Sequence, residues 1–192
     1  MTHIKIILGS NRPGRFAHQP GEWLRSIGEK VEGATFEVID LEKVALPLLD
    51  EPVSAKMAPG QNEHTKAWAK VIGEADGFVF VAPEYNHGYT PVLKNALDYL
   101  FYEWMHKPAA FFGYGADAGG ARATEQLRAV VGYLGMYDIH EHIVMPHYYL
   151  GKDEHGTYTF SDEEAQSAQQ MLEQVAFWAE HMKAAREKLA RQ

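Results

Sequence analysis

The feature that most constrains this chain is a short apolar run that stops abruptly at a polar, Pro or Gly-rich loop, and it recurs. Ile4 to Leu8 ends at Gly9-Ser10-Asn11-Arg12-Pro13-Gly14, Gly77 to Ala82 ends at Pro83, and Ala109 to Phe112 ends at Gly113-Tyr114-Gly115. Runs this short, interrupted only by Lys5, read as strands buried on both faces, which is how the strands of a parallel sheet look in sequence. Phe36, Val38 and Ile39 suggest a second strand, and Ile139 to Val144 a last one.

Helical spacing fills the gaps between these runs. Pro20 suits a first helical turn, and Trp23, Leu24, Ile27 and Val31 then predict a helix from about Gln19 to Val31. Trp68, Val71 and Ile72 predict a second helix ending near Gly73. Pro91 opens a third that carries Val92, Leu93, Ala96, Leu97, Leu100 and Phe101, with Pro108 breaking it before the next strand. Leu127, Val130, Val131 and Leu134 mark a fourth, and Glu163 to Leu189 a long terminal helix started by Ser161 or Asp162. Leu46 to Gln61 lacks periodicity and reads as a long surface loop.

Strand and helix thus alternate five times, an α/β pattern that predicts a parallel sheet with helices on both faces, because crossovers of one hand distribute them that way. At 192 residues the chain suits one domain, 1–192, around one substantial core, with no internal repeat.

Composition removes several function classes. A formal net charge of −8 opposes a polyanion or an anionic lipid surface, so neither nucleic acid nor membrane is an expected partner. The sequence contains no cysteine, which excludes disulfides, thiolate metal sites and cysteine nucleophiles. Redox chemistry would have to come from a borrowed cofactor. No apolar run approaches the roughly 20 residues of a membrane-spanning helix, and no secretory pattern opens the chain, so a cytoplasmic location is expected.

In an open parallel sheet, ligands gather beyond the carboxyl ends of the strands, where strand order reverses. The loop from Gly9 to Ala17 offers a hydroxyl, an amide, two guanidinium groups and backbone N–H donors ahead of a helix, a set that suits a terminal phosphate. It has neither the Gly-Lys-Ser/Thr of a triphosphate loop nor the Gly-x-Gly-x-x-Gly of a dinucleotide turn. The same residues also fit a polar turn with both arginines in solvent. Pro83-Glu84-Tyr85-Asn86-His87-Gly88-Tyr89 joins a strand to a helix through aromatic, amide and carboxylate groups, a surface suited to a flat heteroaromatic ring. Its bland alternative is surface aromatics with Asn86 as a helix cap. The glycines between Gly113 and Gly120 would let backbone amides approach a ligand; a flexible connection is the other reading.

At these residues the chain resembles the NADPH-dependent FMN reductase family. The resemblance rests on Gly9-Ser10-x-Arg12, Pro83-Glu84-Tyr85-Asn86, Leu93-Lys94-Asn95-Ala96-Leu97-Asp98 and the glycine-rich loop before Ala121-Arg122, and covers roughly residues 3 to 145. It implies a flavodoxin-like fold with a five-stranded parallel sheet ordered 2-1-3-4-5, and a non-covalently bound FMN with NAD(P)H as co-substrate. Ser10, Arg12 and Arg15, with the backbone through Phe16 and Ala17, would hold the phosphate. Pro83, Glu84, Tyr85, Asn86 and His87 would line the isoalloxazine, and Gly113, Tyr114 and Gly115 its other edge. The His87-Gly88 pair departs from members with a small residue and Ser after the Asn, which leaves the acceptor pocket open.

The expected activity is electron transfer from reduced nicotinamide, through the flavin, to a small acceptor such as a quinone, free flavin or azo compound, in ping-pong order. The cofactor carries that chemistry, so no catalytic side chain is required. A non-enzymatic flavodoxin-like carrier is the rival, and a hydrolase using Ser10 a more distant one. His140 and His142, two apart on a strand with His147 nearby, invite a metal reading, against which partly exposed strand histidines are preferred. Tyr99, Phe101, Tyr102 and Trp104 put aromatics on more than one helix face, which suggests a homodimer interface, and the resemblance favours a homodimer or homotetramer.

Overall fold

The structure is a computed structural model that describes residues 1–189. Strands β1 (Thr2–Leu8), β2 (Ala34–Asp40), β3 (Gly77–Pro83), β4 (Pro108–Gly115) and β5 (Tyr137–Pro146) form one sheet in the order β2-β1-β3-β4-β5, parallel throughout. The order reverses between β1 and β3, which places a ligand-binding crevice at the carboxyl ends of those strands. Central strands β3 and β4 are buried along their whole length, as their unbroken apolar runs require.

Helices α1 (His18–Gly28) and α6 (Asp162–Leu189) cover one face, packing Leu24, Met171, Leu172 and Val175 against Ile4, Ile6, Val79 and Phe112. Helices α3 (Glu63–Gly73), α4 (Pro91–Asp98) and α5 (Ala121–Tyr133) cover the other, packing Trp68, Leu93, Leu97 and Leu127 against Ile7, Phe80 and Phe111. The sequence did not reveal the single-turn helix α2 (Leu41–Val44), which Asp40 caps by accepting from the Glu42 amide. Ser161 and Glu164 form a capping box at the start of α6: the Glu164 amide donates to Ser161 Oγ, and the Ser161 amide to Glu164 Oε2.

Several boundaries differ from expectation. Helix α1 stops at Gly28 rather than Val31, which closes a turn by donating to the Gly28 carbonyl. Helix α4 ends at Asp98, well before Pro108, and Pro108 opens β4 instead of breaking a helix. Gly113, Tyr114 and Gly115 lie inside β4 rather than after it. Tyr99 and Trp104 are buried, so they cannot form a surface interface; Trp104 Nε1 donates to the Leu97 carbonyl, and Tyr99 Oη to Asp50 and the Pro47 carbonyl. Tyr102 does stand exposed.

The loop Leu46–Gln61 carries no helix or strand, yet it is strapped down. Asn95 donates to the Pro47 carbonyl and accepts from the Leu49 amide, while Asp50 receives Tyr99, His64 and Asn62. These bonds, His64 foremost, hold the Asp50 carboxyl below its ordinary range. At the amino ends of the strands, buried Asp76 accepts from the His3 amide, Lys183 Nζ and Arg186 Nη2, at 3.1, 2.9 and 2.7 Å. That carboxylate fastens the last helix to the amino ends of the strands, beside Lys107, whose ammonium donates to the Ile72 carbonyl.

Candidate flavin site

Three loops leave the carboxyl ends of β1, β3 and β4 and enclose a cavity of about 350 Å3. The wall comprises Ser10, Arg12 and Phe16 from the first loop, Glu84 and Tyr85 from the second, and Tyr114 and Gly115 from β4, among others. Ser10 is buried and its Oγ lies 3.1 Å from Tyr85 Oη, so the phosphate-type loop and the ring-type loop meet directly. Thr90, also buried, fixes their relative position: its hydroxyl donates to the Gly9 carbonyl at 2.6 Å and accepts from the Leu93 amide as the cap of α4. The cap is therefore Thr90 and not Asn86.

Asn86 and His87 instead form the corner of a tight hairpin. Both have positive φ, 50° and 71°, and the Tyr85 and Gly88 backbones exchange two hydrogen bonds across them. Positive φ at both corners is the pattern of a type I′ turn, a conformation in which Asn and His are enriched among non-glycine residues. Gln126 Nε2 donates to the His87 carbonyl at 2.8 Å and helps hold the corner. Glu84 is turned away from the ring-type loop: its carboxylate accepts from the Arg122 amide at 3.1 Å and Arg122 Nη1 at 2.7 Å. An anion at the first turn of α5 is where the helix dipole favours one.

The glycines after β4 serve close packing of backbone on backbone. Gly120 has φ +88°, and a Cβ there would lie 2.4 Å from the Tyr114 amide nitrogen. Gly113, Gly119 and Gly120 are closely approached by the chain's own backbone, and Gly115 alone of Gly113, Gly115, Gly119 and Gly120 lines the cavity.

Of the residues expected at the site, Ser10, Arg12, Arg15, Phe16, Pro83, Glu84, Tyr85, Tyr114 and Gly115 line the cavity, while Ala17, Asn86, His87 and Gly113 do not. Arg15 is the one whose chemistry differs most from expectation. Its guanidinium, 7% exposed, pairs with Asp40 at 2.8 Å and with Glu42, leaving Nε buried and without a partner. Those carboxylates and His18 make the one group with metal-ligand spacing among the described residues, and Arg15 already pairs with both carboxylates. His140 and His142 sit exposed on β5, where His142 Nδ1 bonds the His140 carbonyl.

The sequence reading missed Tyr148 and Tyr149, which follow β5 in a 3-10 turn (Tyr148–Gly151) and complete the cavity wall. Tyr148 stacks on Phe16 with ring centroids 4.6 Å apart and meets Tyr114 edge-on. Their signal was available: the carboxyl end of a fourth strand falls at the same sheet edge as the other three. Burial, then the neighbouring Tyr85 and Tyr148, push the Tyr114 hydroxyl far above its ordinary range, so it stays protonated.

The pattern named "NADPH-dependent FMN reductase" matches residues 2–150. An NAD(P)H-dependent FMN reductase of Schizosaccharomyces pombe is 42% identical over 135 residues, which are 69% of this chain and 67% of that protein. One from Saccharomyces cerevisiae is 33% identical over 146 residues, 69% of this chain and 75% of that one. The matched part thus spans about two thirds to three quarters of these relatives' length. Among solved structures, a flavoenzyme NAD(P)H:(acceptor) oxidoreductase from Paracoccus denitrificans superposes with a TM-score of 0.74 at 21% identity, covering 95% of this chain and 99% of that one, a likeness of fold. With the fold, the loop constellation and the sequence match in agreement, this chain belongs to the NADPH-dependent FMN reductase family.

Proposed function

We propose that this protein holds FMN non-covalently in the cavity and passes electrons from NAD(P)H to a small acceptor of the quinone, free flavin or azo type, in ping-pong order. The observation that carries the reading is the β1–α1 loop. Buried Ser10, cation Arg12 and Arg15, with its unpartnered Nε, line the cavity there just ahead of α1, whose first turn has no side-chain cap and no acidic residue. A helix N-terminus left in that state fits a phosphate. The residues present therefore fit the cofactor's anionic end, and Tyr85, Tyr114 and Tyr148 offer aromatic walls beside it.

When bound, the flavin supplies hydride acceptance and return of electrons. The chain's own work is to bind and orient. Ser10 Oγ and the α1 terminus would fix the phosphate, and Pro83 and Tyr85 would set the ring plane, with the hairpin at Asn86 and His87 stiffening that wall. Tyr114, kept protonated, is a hydroxyl donor at the site rather than a base. In this reading the enzyme works in the cytoplasm as a homodimer or homotetramer, with exposed Tyr102 and Tyr133 as interface candidates. Sedimentation of the purified protein tests the assembly.

The deciding experiment is to load the protein with FMN, desalt it, record the absorption spectrum, and add NADPH or NADH without oxygen. Retained flavin bands that bleach rapidly, followed by parallel initial-velocity lines with a quinone as second substrate, are the expected result. Retained bands that persist would make the protein a carrier, and a colourless protein would overturn the reading.

A further inference from the structure

A phosphate needs positive charge that is not already spent, and this chain carries a net −8. Arg15 answers Asp40 and Glu42 with its one charge. Among the described residues around the β1–α1 loop, the cations that pair with no carboxylate are Arg12 and a second one, Lys152, that lies outside the residues 2–150 of the family match.

Lys152 is positioned by a built platform. It pairs with Tyr158 across a short antiparallel bridge, and Asp153 closes the intervening turn by accepting from the His155 and Thr157 amides at 2.9 and 2.8 Å. This hairpin is lashed to the first turn of α1: Gln19 Nε2 donates to the Gly156 carbonyl at 2.8 Å, and the Tyr158 amide donates to Gln19 Oε1 at 2.7 Å. Lys152 Nζ then stands 4.9 Å from the Phe16 ring centroid and 5.0 Å from that of Tyr148, the two rings that stack on each other in the cavity wall. Ring faces orient an ammonium without neutralising it, so its charge stays free for an anion.

We propose that Lys152 is a phosphate-binding residue of the flavin site, supplied by the hairpin after β5 and closing over the β1–α1 loop. The proposal rests on the FMN reading above. It assigns to the hairpin the charge that Arg15 has given to Asp40 and Glu42, and it makes Gln19 the strut that sets the hairpin's height.

The test compares FMN with riboflavin, which has the same ring system and no phosphate, by quenching of flavin fluorescence on titration with wild-type, K152M and K152R protein. Lys152→Met keeps the aliphatic stem over the rings and removes only the charge. FMN affinity is expected to fall about tenfold in K152M, as for loss of one charge-assisted contact, and to recover largely in K152R. Riboflavin affinity should not change, and the salt dependence of FMN binding should flatten in K152M. Unchanged FMN affinity and salt dependence, or an equal loss for both flavins, would overturn the assignment while leaving the FMN reading intact. Failure of the wild-type protein to bind FMN would instead take down the parent reading and this one with it.

Discussion

Glu84 sits in the most distinctive motif of the sequence yet turns its carboxylate towards a helix, and that geometry sets how costly its loss must be. Glu84→Ala deletes a charge-assisted acceptor for the Arg122 backbone amide at 3.1 Å and for Arg122 Nη1 at 2.7 Å. The Arg122 guanidinium is 44% exposed, so its share is that of a screened surface pair, below about 1 kcal/mol. The amide is a different matter: an orphan donor in the first turn of α5 loses a bond to a charged acceptor worth about 1.5–3 kcal/mol, the helix dipole included. The sum is about 1.5–4 kcal/mol, or a fall in Tm of about 3–16 °C at this chain length. Arg122→Ala keeps the amide bond and should cost less than half as much, and the double variant should match Glu84→Ala alone. Urea unfolding followed by circular dichroism measures all three. Equal losses from the two single variants would refute the reasoning, because they would place the energy in the guanidinium pair and not at the helix terminus.

Gly120→Ala should destabilise by several kcal/mol, since its Cβ would meet the Tyr114 nitrogen at φ +88°, whereas Gly132→Ala, in α5 with open space around it, should stabilise by about 0.5–1 kcal/mol; thermal melts compare them. Burial, then Arg186, pull the Lys107 ammonium down to about 8. A base whose pKa is lower folded than unfolded contributes stability that is present above its unfolded pKa of 10.5 and lost as pH falls through about 8. The stability of wild type relative to Lys107→Met should therefore rise between those pH values, and denaturant unfolding across that window with no change in the difference would contradict it. Tyr99→Phe removes the hydroxyl bonds to Asp50 and the Pro47 carbonyl and should speed amide exchange along Leu46–Gln61 without changing the sheet's protection.

What the sequence made legible follows from what is local. Ile4–Leu8, apart from Lys5, and Gly77–Ala82 are apolar because both sheet faces are covered, and that pattern survives without knowledge of neighbours. The cavity residues Ser10, Arg12, Tyr85 and Tyr114 were readable because they stand at or just beyond the carboxyl ends of such strands. Arg15's commitment was not, since it depends on β2 delivering Asp40 beside the first loop, a contact 25 residues away in sequence. Tyr99 and Trp104 were misread because α4 ends at Asp98: past that point helical spacing no longer says which way a side chain faces. The glycines near Gly120 were readable as backbone demands, but the strand that makes one of them, through the Tyr114 nitrogen, was not.

The buried carboxylate at the foot of the sheet has a bearing on synthesis. Asp76 lies at the amino end of β3, while the cations that answer it belong to Lys183 and Arg186, more than a hundred positions later. A ribosome adding residues one by one exposes β1 and β3 long before those side chains emerge. Through that interval the nascent sheet holds a carboxylate whose ion-pair partners do not yet exist, so closing that edge early would strand a charge in a poorly solvated place. The native form of the sheet's foot therefore requires α6, the part of the chain made last among the described helices.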